Sequence, residues 1–143
     1  MKQHPYEKFT YYIYSDVYEE IVTHCMEAKP YEACGFLSGK QGFGEQVWRM
    51  TNEALTTHSF EISEQDYQKL KKTVQKRHEQ ITAIYHSHPT SIPYPSPTDI
   101  LHAPEYPIAY LIVSLQNETP FLRSFLIMNK VVYELAHQVV KRG

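Results

Sequence analysis

The order of apolar and polar residues in the first quarter of the chain predicts a strand, a helix and a second strand. Residues 9–14 (FTYYIY) are mostly aromatic or β-branched, a composition that favours a strand. Ser15 has the side chain of a helix N-cap, and apolar residues then recur at helical spacing until Lys29 and Pro30 end the helix. Residues 33–37 (ACGFL) indicate a buried strand.

Glycines follow that strand closely and predict a hairpin. The turn runs through Gly42 and Gly44, and residues 47–50 return as the partner strand. Ser63 is the next N-cap candidate, because acidic residues follow it and an apolar stripe then alternates with basic residues as far as Arg77. This pattern is typical of an amphipathic helix, and its basic side chains are most simply a solvated face.

The second half of the chain predicts a central strand, a stiff loop and further strands. The strand at residues 81–85 leads into His86-Ser-His-Pro, and the four prolines in residues 89–97 exclude a helix or a central strand there. Thr98 can cap a short helix that starts at Asp99. Three more strands are expected at residues 108–115, 121–128 and 131–135. We therefore expect an α/β or α+β domain with helices around one sheet.

Composition and charge narrow the classes of function. The chain of 143 residues is 42% hydrophobic and 13% aromatic, which supplies a core for one domain and excludes general disorder. Its 14 Lys and Arg against 16 Asp and Glu leave a net charge of −2, which offers no electrostatic footprint for nucleic acid. No apolar run reaches the length of a membrane span and the first residues contain no apolar signal region, so we expect a soluble, cytoplasmic protein. Two cysteines, Cys25 and Cys34, are too few for a disulfide framework and are expected to stay reduced.

Histidine is the unusual residue type, with eight in the chain, and two of them have the spacing of metal ligands. In an extended strand end, the side chains of His86 and His88 project to the same side. Such a pair is weak evidence alone, but a Pro-stiffened loop here returns the carboxylate of Asp99 at a helix start. Two imidazoles and a carboxylate, with one position left for water, match the zinc sites of hydrolases.

A water molecule at such a site needs a proton acceptor that does not itself bind the metal. Glu32 is the candidate, because an acid beside an apolar strand is uncommon. An exposed acid in the turn after Pro30 is the alternative interpretation of the same residue. The presence of the two histidines and the aspartate favours the first.

Two segments resemble the JAMM (JAB1/MPN/Mov34) metalloprotease family. They are residues 30–39 (PYEACGFLSG), and His86-Ser-His88-Pro followed after six residues by Ser96-Pro-Thr-Asp99. The acid, the Cys-Gly strand, the His-x-His-Pro step and the Ser-x-x-Asp step stand in the family's order and at its offsets. The resemblance covers residues from about 9 to 138 and implies one domain over residues 1–143. It also implies the MPN fold, a cytidine-deaminase-like three-layer arrangement with a single mixed, mostly antiparallel sheet flanked by helices.

The resemblance implies a role for each site residue. His86, His88 and Asp99 match the family's zinc ligands, with water in the fourth position, so Zn²⁺ is the expected cofactor. Glu32 matches the general acid/base that takes a proton from this water and later returns it to the leaving amine. Ser96 matches the residue that hydrogen-bonds the carbonyl oxygen as it gains charge.

The implied function is that of a zinc-dependent peptidase or isopeptidase acting at the C-terminal Gly-Gly tail of a ubiquitin-like protein. The chain looks like the minimal, bacterial-type form of the family, which is associated with sulfur-carrier proteins of the ThiS/MoaD type. We therefore expect such a carrier as partner, and neither nucleic acid nor a membrane. An extended tail could add a strand to a sheet edge beside the zinc. The oligomeric state is left open.

Alternative functions remain beside this one. A non-catalytic MPN-type scaffold module would characteristically lack the ligands that are present here. A RadC-type, DNA-repair-associated relative shares the motif, but the near-neutral charge disfavours it. A zinc deaminase is excluded because its Pro-Cys-x-x-Cys ligand pair has no counterpart. Cys34 is interpreted as a packed thiol rather than a nucleophile, and His102 as a surface histidine.

Overall fold

One eight-stranded sheet organises residues 4–142, the part of the chain that the computed structural model describes. The strands are β1 (Thr10–Tyr14), β2 (Cys34–Gly39), β3 (Phe43–Gly44), β4 (Gln46–Met50), β5 (Gln80–His88), β6 (Ala109–Ser114), β7 (Phe121–Met128) and β8 (Val131–Val140). The helices are α1 (Ser15–Ala28), α2 (Glu64–Lys76) and α3 (Pro97–His102). The strands lie in the order β3-β1-β8-β7-β6-β5-β2-β4.

The sheet is mixed and mostly antiparallel, as predicted. Four neighbouring pairs are antiparallel, namely β2 with β4, β2 with β5, β6 with β7 and β7 with β8. The other three pairs are parallel, namely β1 with β3, β1 with β8 and β5 with β6. The expected mixed α+β architecture is therefore confirmed.

Helices cover both faces of the sheet and produce two apolar cores. The side chains of Val17, Ile21 and Cys25 from α1 pack on one face, in a cluster that includes Leu111 of β6. Those of Leu70 and Val74 from α2 pack on the other face, in a cluster that includes Ile112 of the same strand. Successive residues of β6 thus point to opposite cores, because side chains alternate along a strand. Within the described residues, no helix has both the length and the apolar character that a membrane crossing requires.

Two helix starts differ from the sequence-based prediction. Ser15 is the first residue of α1 rather than its N-cap, because β1 runs directly into the helix and Tyr14 takes the cap position without a side-chain hydrogen bond. Thr98 lies inside α3, whose N-cap is Ser96. The Ser96 hydroxyl accepts a hydrogen bond from the Asp99 amide, and Pro97 takes the first helical position, where a missing N–H costs nothing.

Three strands also differ from the sequence-based prediction. The turn after β2 contains β3, which pairs with β1 instead of serving only as a hairpin loop. Strand β5 runs on through the two histidines to His88. Strand β8 extends beyond the predicted Leu135 to Val140, because residues 136–140 pair in parallel with β1. That pairing joins the two ends of the chain, and local patterns carry no signal for it.

The topology brings three distant segments to one edge of the sheet. Strand β5 lies between β2 and β6, so the start of β2 and the ends of β5 and β6 meet there. The Pro-rich loop then folds back over this edge, where the Ser114 hydroxyl donates to the carbonyl oxygen of Ser91 at 2.6 Å. Helix α3 begins where this loop ends.

We expect Gly35→Ala to destabilise the fold. A Cβ atom at Gly35 would lie 2.5 Å from the Tyr85 hydroxyl and 2.6 Å from the carbonyl oxygen of Trp48. Overpacking of this kind lowers the free energy of unfolding by roughly 1–3 kcal/mol, which urea denaturation would measure. Gly42→Asn is the control, because nothing lies within 4 Å of a Cβ there and Asn tolerates a positive φ. Equal stability of Gly35→Ala and the wild type would contradict the tight packing.

Candidate metal centre

Three buried side chains converge at the edge where β5 ends. Nε2 of His86 and Nε2 of His88 lie 3.1 Å apart, and Oδ2 of Asp99 lies 3.2 Å and 3.0 Å from them. Among the described residues, these three form the one group of His, Cys, Asp and Glu whose donor atoms lie close enough to hold a metal ion. The structure thus brings together the two histidines and the aspartate that the sequence singled out.

Local structure explains why each donor points to this spot. His86 and His88 are two residues apart on β5, so the strand directs both rings to the same face. Asp99 is the third residue of α3 and belongs to a capping box, in which its Oδ2 accepts from the Ser96 amide at 2.9 Å. The helix start therefore holds the carboxylate in place before any ion is considered.

The hydrogen bonds of the three residues fit a cation at their centre. Nδ1 of His88 lies 2.8 Å from the carbonyl oxygen of Ile92, so in the neutral ring this nitrogen carries the proton. Nε2 of His88 then presents a lone pair to the carboxylate of Asp99, and the two repel each other unless positive charge lies between them. Lone pairs of neutral imidazoles and an ionised carboxylate are the donors that metal ions use.

The spacing of the donor atoms supports the same conclusion. Bonds of 2.0–2.1 Å to a tetrahedral ion place neighbouring ligand atoms about 3.3–3.4 Å apart. The three observed distances of 3.0, 3.1 and 3.2 Å are slightly shorter than this value. Nδ1 of His86 is buried without a hydrogen-bond partner in the described part of the chain, so only packing and the contact of Nε2 with Asp99 hold the ring. A small outward movement of the three side chains therefore accommodates an ion.

The electrostatics hold two of the donors in the protonation state that metal binding needs. Burial acts to raise the pKa of Asp99, but contacts with both imidazoles and the Ser96 amide hold it well below its usual range. Burial lowers the pKa of His86 despite the nearby carboxylate. Burial also acts to lower the pKa of His88, but Asp99 and the Ile92 carbonyl outweigh it and the pKa is raised. Asp99 is thus an anion and His86 a neutral ring. The surroundings of His88 favour positive charge on or beside its ring.

Glu32 is buried beside this cluster and is not an exposed acid of the preceding turn. Glu32 is 5% exposed, and in the described structure its Oε1 has no hydrogen-bond partner. Burial raises the pKa of this carboxyl to about 7, with His88 opposing and Asp99 adding to the effect. A carboxyl group with a pKa near neutrality can both accept and release a proton there.

Ser87 is a residue of the site that the sequence analysis missed. Its hydroxyl accepts from the Ala33 amide at 2.8 Å, and its own amide donates to the Ala33 carbonyl oxygen at 3.1 Å. These bonds hold Ala33, the residue after Glu32, against Ser87, which lies between the two histidines on β5. The position of Ser87 between the histidines is the signal that could have found it.

Aromatic packing covers His86 and was also not foreseen. The rings of Phe60 and Tyr110 lie 4.5 Å and 5.4 Å from the ring of His86, measured between centroids. Both aromatic residues line a groove of about 600 Å³ that opens beside Asp99. The groove runs between residues 54–64 and helix α3 with the turn that follows it. Of the three donor residues, Asp99 lines this groove.

The remaining candidate residues agree with their simpler interpretations. Cys34 is buried and its thiol lies 3.8 Å from the carbonyl oxygen of Met50, while burial raises its pKa to about 12. It is therefore a packed thiol and not a nucleophile. His102 is exposed on α3. Ser96 lies at the start of α3 as described above, and its catalytic role stays a prediction.

Known proteins share this fold and much of this sequence. The model of the family described as prokaryotic homologues of the JAB domain matches residues 15–127. A CysO-cysteine peptidase of Mycobacterium tuberculosis is 31% identical over 133 residues, which cover 91% of this chain and 91% of that protein. A desampylase of Pyrococcus furiosus is 26% identical over 101 residues, which cover 71% of this chain and 72% of that protein.

Solved structures agree with the sequence comparison. The solution structure of a protein from Desulfitobacterium hafniense has a TM-score of 0.86 and 27% identity, covering 93% of this chain and 94% of its own. A JAB1/MPN-domain protein from Archaeoglobus fulgidus, at 14% identity, shares the fold with a TM-score of 0.58 over 92% of this chain and 99% of its own. The fold is thus of the JAB1/MPN type. The chain belongs to the prokaryotic JAB-domain members of the JAMM/MPN family, which confirms the resemblance.

We expect the purified protein to bind about one Zn²⁺ per chain through its three donors. His88→Ala removes one of them and should weaken Zn²⁺ binding by at least about 100-fold, measured by competition with a chromophoric chelator. His102→Ala is the matched control, because it removes an exposed imidazole from nearby α3 and should leave the affinity unchanged. Equal affinities for wild type and His88→Ala would remove His88 from the ligand set.

Proposed function

We propose that the protein is a zinc-dependent peptidase or isopeptidase that cleaves at the C-terminal Gly-Gly tail of a ubiquitin-like sulfur-carrier protein. The observation that carries this proposal is the convergence of three buried donor atoms beside the buried carboxyl group of Glu32. A metal ligand set and a proton acceptor next to it are what metal-assisted hydrolysis of an amide bond requires. The family membership supports the same chemistry.

His86, His88 and Asp99 would hold the ion. A zinc ion bound there would supply Lewis acidity to the scissile carbonyl group and would lower the pKa of a water molecule. The rings of Phe60 and Tyr110 shield His86 from solvent, which keeps the local dielectric constant low and strengthens each electrostatic contact.

Glu32 moves the proton in the proposed reaction. Its carboxylate accepts a proton from the attacking water as the water oxygen bonds to the carbonyl carbon. It then donates this proton to the leaving nitrogen as the C–N bond breaks, so the products are a carboxylate and an amine. The raised pKa of Glu32 suits the second step, and positive charge held by the three ligands favours the ionised form that the first step needs.

Ser96 stabilises the carbonyl oxygen as it gains charge. The serine oxygen accepts from the Asp99 amide, so its single hydroxyl hydrogen is left to donate to the substrate. Because the same residue caps α3, the donor stands on the helix that also carries Asp99. A donor aimed at the developing charge from a fixed position contributes to lowering the barrier.

Two features support a ubiquitin-like carrier with an extended tail as the substrate. The relatives that match much of this chain are named CysO-cysteine peptidase and desampylase, which supports peptidase action on a protein of this class. Strand β4 is the outermost strand on the side of β2, and Met50 at its end is in register with Cys34, which pairs with His86. A tail could therefore pair with β4, the outermost strand, which lies two strands from the histidines of β5. Glycines in the tail present no side chain to obstruct this pairing.

The complete set of donors disfavours the scaffold alternative. A module that only binds a partner has no need for two histidines, an aspartate and a glutamate buried together, since each buried charge costs free energy unless it is compensated.

The location that we propose is the cytoplasm. Cys25 and Cys34 are free and buried, which suits a reducing compartment.

We expect Glu32→Gln to separate catalysis from metal binding. The substitution preserves the size of the side chain but removes the proton acceptor, so turnover should fall by roughly 10²–10⁴-fold while Zn²⁺ content and fold remain. Steady-state kinetics, elemental analysis and circular dichroism would measure the three quantities. Glu53→Gln is the control, because Glu53 is an exposed acid outside the cluster. Full turnover of Glu32→Gln would show that the proton-transfer role is wrong.

The substrate proposal predicts selective trimming after Gly-Gly. A ThiS/MoaD-type carrier extended by a few residues should be cut after the second glycine, and the same carrier with valines in place of the glycines should resist. Diubiquitin should be a poor substrate, because the chain is the minimal form of the family. Intact mass spectrometry of the three reactions decides the outcome. Efficient cleavage of diubiquitin, or equal cleavage of the valine carrier, would contradict this substrate class.

A further inference from the structure

The side chain of Asn52 uses all of its hydrogen-bonding capacity at one place beside the candidate site. Its Nδ2 donates to the carbonyl oxygens of Glu32 at 2.9 Å and Ser59 at 3.2 Å. Its Oδ1 accepts from the amides of Ala54 at 2.9 Å and Glu61 at 3.0 Å. Because both partners of Nδ2 are carbonyl oxygens and both partners of Oδ1 are amides, only one orientation of the side-chain amide satisfies all four.

These bonds connect residues 52–61, which we call the Asn52 loop, to the residue that carries the proposed proton acceptor. Three of the four bonds close the loop on itself, together with the backbone bond from the Glu53 amide to the Glu61 carbonyl oxygen at 2.7 Å. The fourth reaches the peptide of Glu32. The loop also carries Phe60, whose ring stacks on His86 at 4.5 Å between centroids. The loop thus contacts both the acceptor residue and a metal-ligand candidate.

Glu32 stands where sheet pairing has not yet begun. Strand β2 starts at Cys34, and Ala33 is held by Ser87 on the side of β5. The Glu32 carbonyl oxygen is held by Asn52, which follows the end of β4 on the opposite side of β2. Hydrogen bonds from the β4 side and from the β5 side therefore fix the backbone around Glu32. The side chain of Asn52 donates the bond on the β4 side.

We infer that Asn52 is a positioning residue that fixes the Glu32 carboxylate relative to the metal centre and holds the Asn52 loop to it. The inference rests on the proposed function, because it gives Glu32 a role in proton transfer. Loss of the bond to the Glu32 carbonyl oxygen frees that peptide to rotate and moves the carboxylate with it. Displacements of about 1 Å in a catalytic group can cost roughly 100-fold in rate. The loss affects the chemical step more than substrate binding, so kcat should fall while KM changes little.

Two substitutions at Asn52 test the inference. Asn52→Asp retains the oxygen that accepts from Ala54 and Glu61 but places a second carboxylate oxygen against the carbonyl oxygens of Glu32 and Ser59. Asn52→Ala removes all four bonds. We expect both variants to fold and to bind about one Zn²⁺, with kcat lowered at least about 10-fold and KM changed less than about 3-fold. Hydrogen–deuterium exchange should rise in a peptide covering residues 31–36, where the Ala33 amide reports on the held segment.

Two control variants separate positioning from a general effect of the substitution. Thr56→Val loosens the same loop, since the Thr56 hydroxyl accepts from the His58 amide at 2.9 Å, but it does not touch Glu32. Asn117→Asp makes the same chemical change in an exposed turn between β6 and β7. Both should retain wild-type kcat and wild-type exchange in residues 31–36. An equal fall of kcat in Thr56→Val would assign the effect to the loop alone and overturn the role of Asn52 toward Glu32.

The measurements distinguish a failure of this inference from a failure of the proposed function. Wild-type turnover with unchanged kcat and unchanged exchange in both Asn52 variants overturns the role of Asn52 and leaves the proposed function standing. A wild-type protein that binds Zn²⁺ but cleaves no extended carrier overturns the proposed function and the catalytic consequence of the Asn52 bond with it. Should Asn52→Asp fail to fold, Asn52→Ala decides both the kinetic and the exchange measurement.

Discussion

The close approach of three buried donor atoms is the constraint on which the rest of the site depends. Nε2 of His86, Nε2 of His88 and Oδ2 of Asp99 lie within 3.2 Å of one another in a region from which solvent is largely excluded. Because the carboxylate of Asp99 is buried there, its surroundings favour positive charge beside it, which the imidazoles supply by hydrogen bonding and which a metal ion would also supply. The surrounding structure holds the three atoms together. It does so with a central strand that directs both histidines, a proline-rich loop that also holds His88, and a capped helix start that holds Asp99.

The rigidity of the strand, the loop and the helix start explains why the cluster lies where β5 ends. Strand β5 has hydrogen-bonded neighbours on both sides, so neither histidine can leave the face to which the strand directs it. The carbonyl oxygen of Ile92 in the loop sets the tautomer of His88, and the capping box at Ser96 sets the carboxylate of Asp99. A ligand that is oriented by a second hydrogen bond binds its metal in a defined geometry.

The proposed proton-transfer role of Glu32 depends on the same cluster. Burial makes its charged form costly, while the charges of the neighbouring cluster act on it in opposite directions. The residue stands outside regular structure, one position before the segment that Ser87 holds, so its placement relies on individual hydrogen bonds rather than on a strand. One of these bonds is the hydrogen bond from Asn52 Nδ2 to the Glu32 carbonyl oxygen. The aromatic rings of Phe60 and Tyr110 then limit the access of water to His86.

The sequence by itself determined the helices, most strands and the identity of the candidate donors. Helical spacing, strand alternation and the His-x-His step are local features, and local features follow from the period of the backbone. The caps predicted at Ser15 and Thr98 were wrong, because β1 runs directly into α1 and because Ser96, followed by Pro97, starts α3 earlier than predicted. The pairing of β8 with β1 and the contacts of Ser87, Phe60 and Asn52 join residues far apart in the chain. Only the tertiary structure decides these, since they depend on which segments the sheet order makes neighbours.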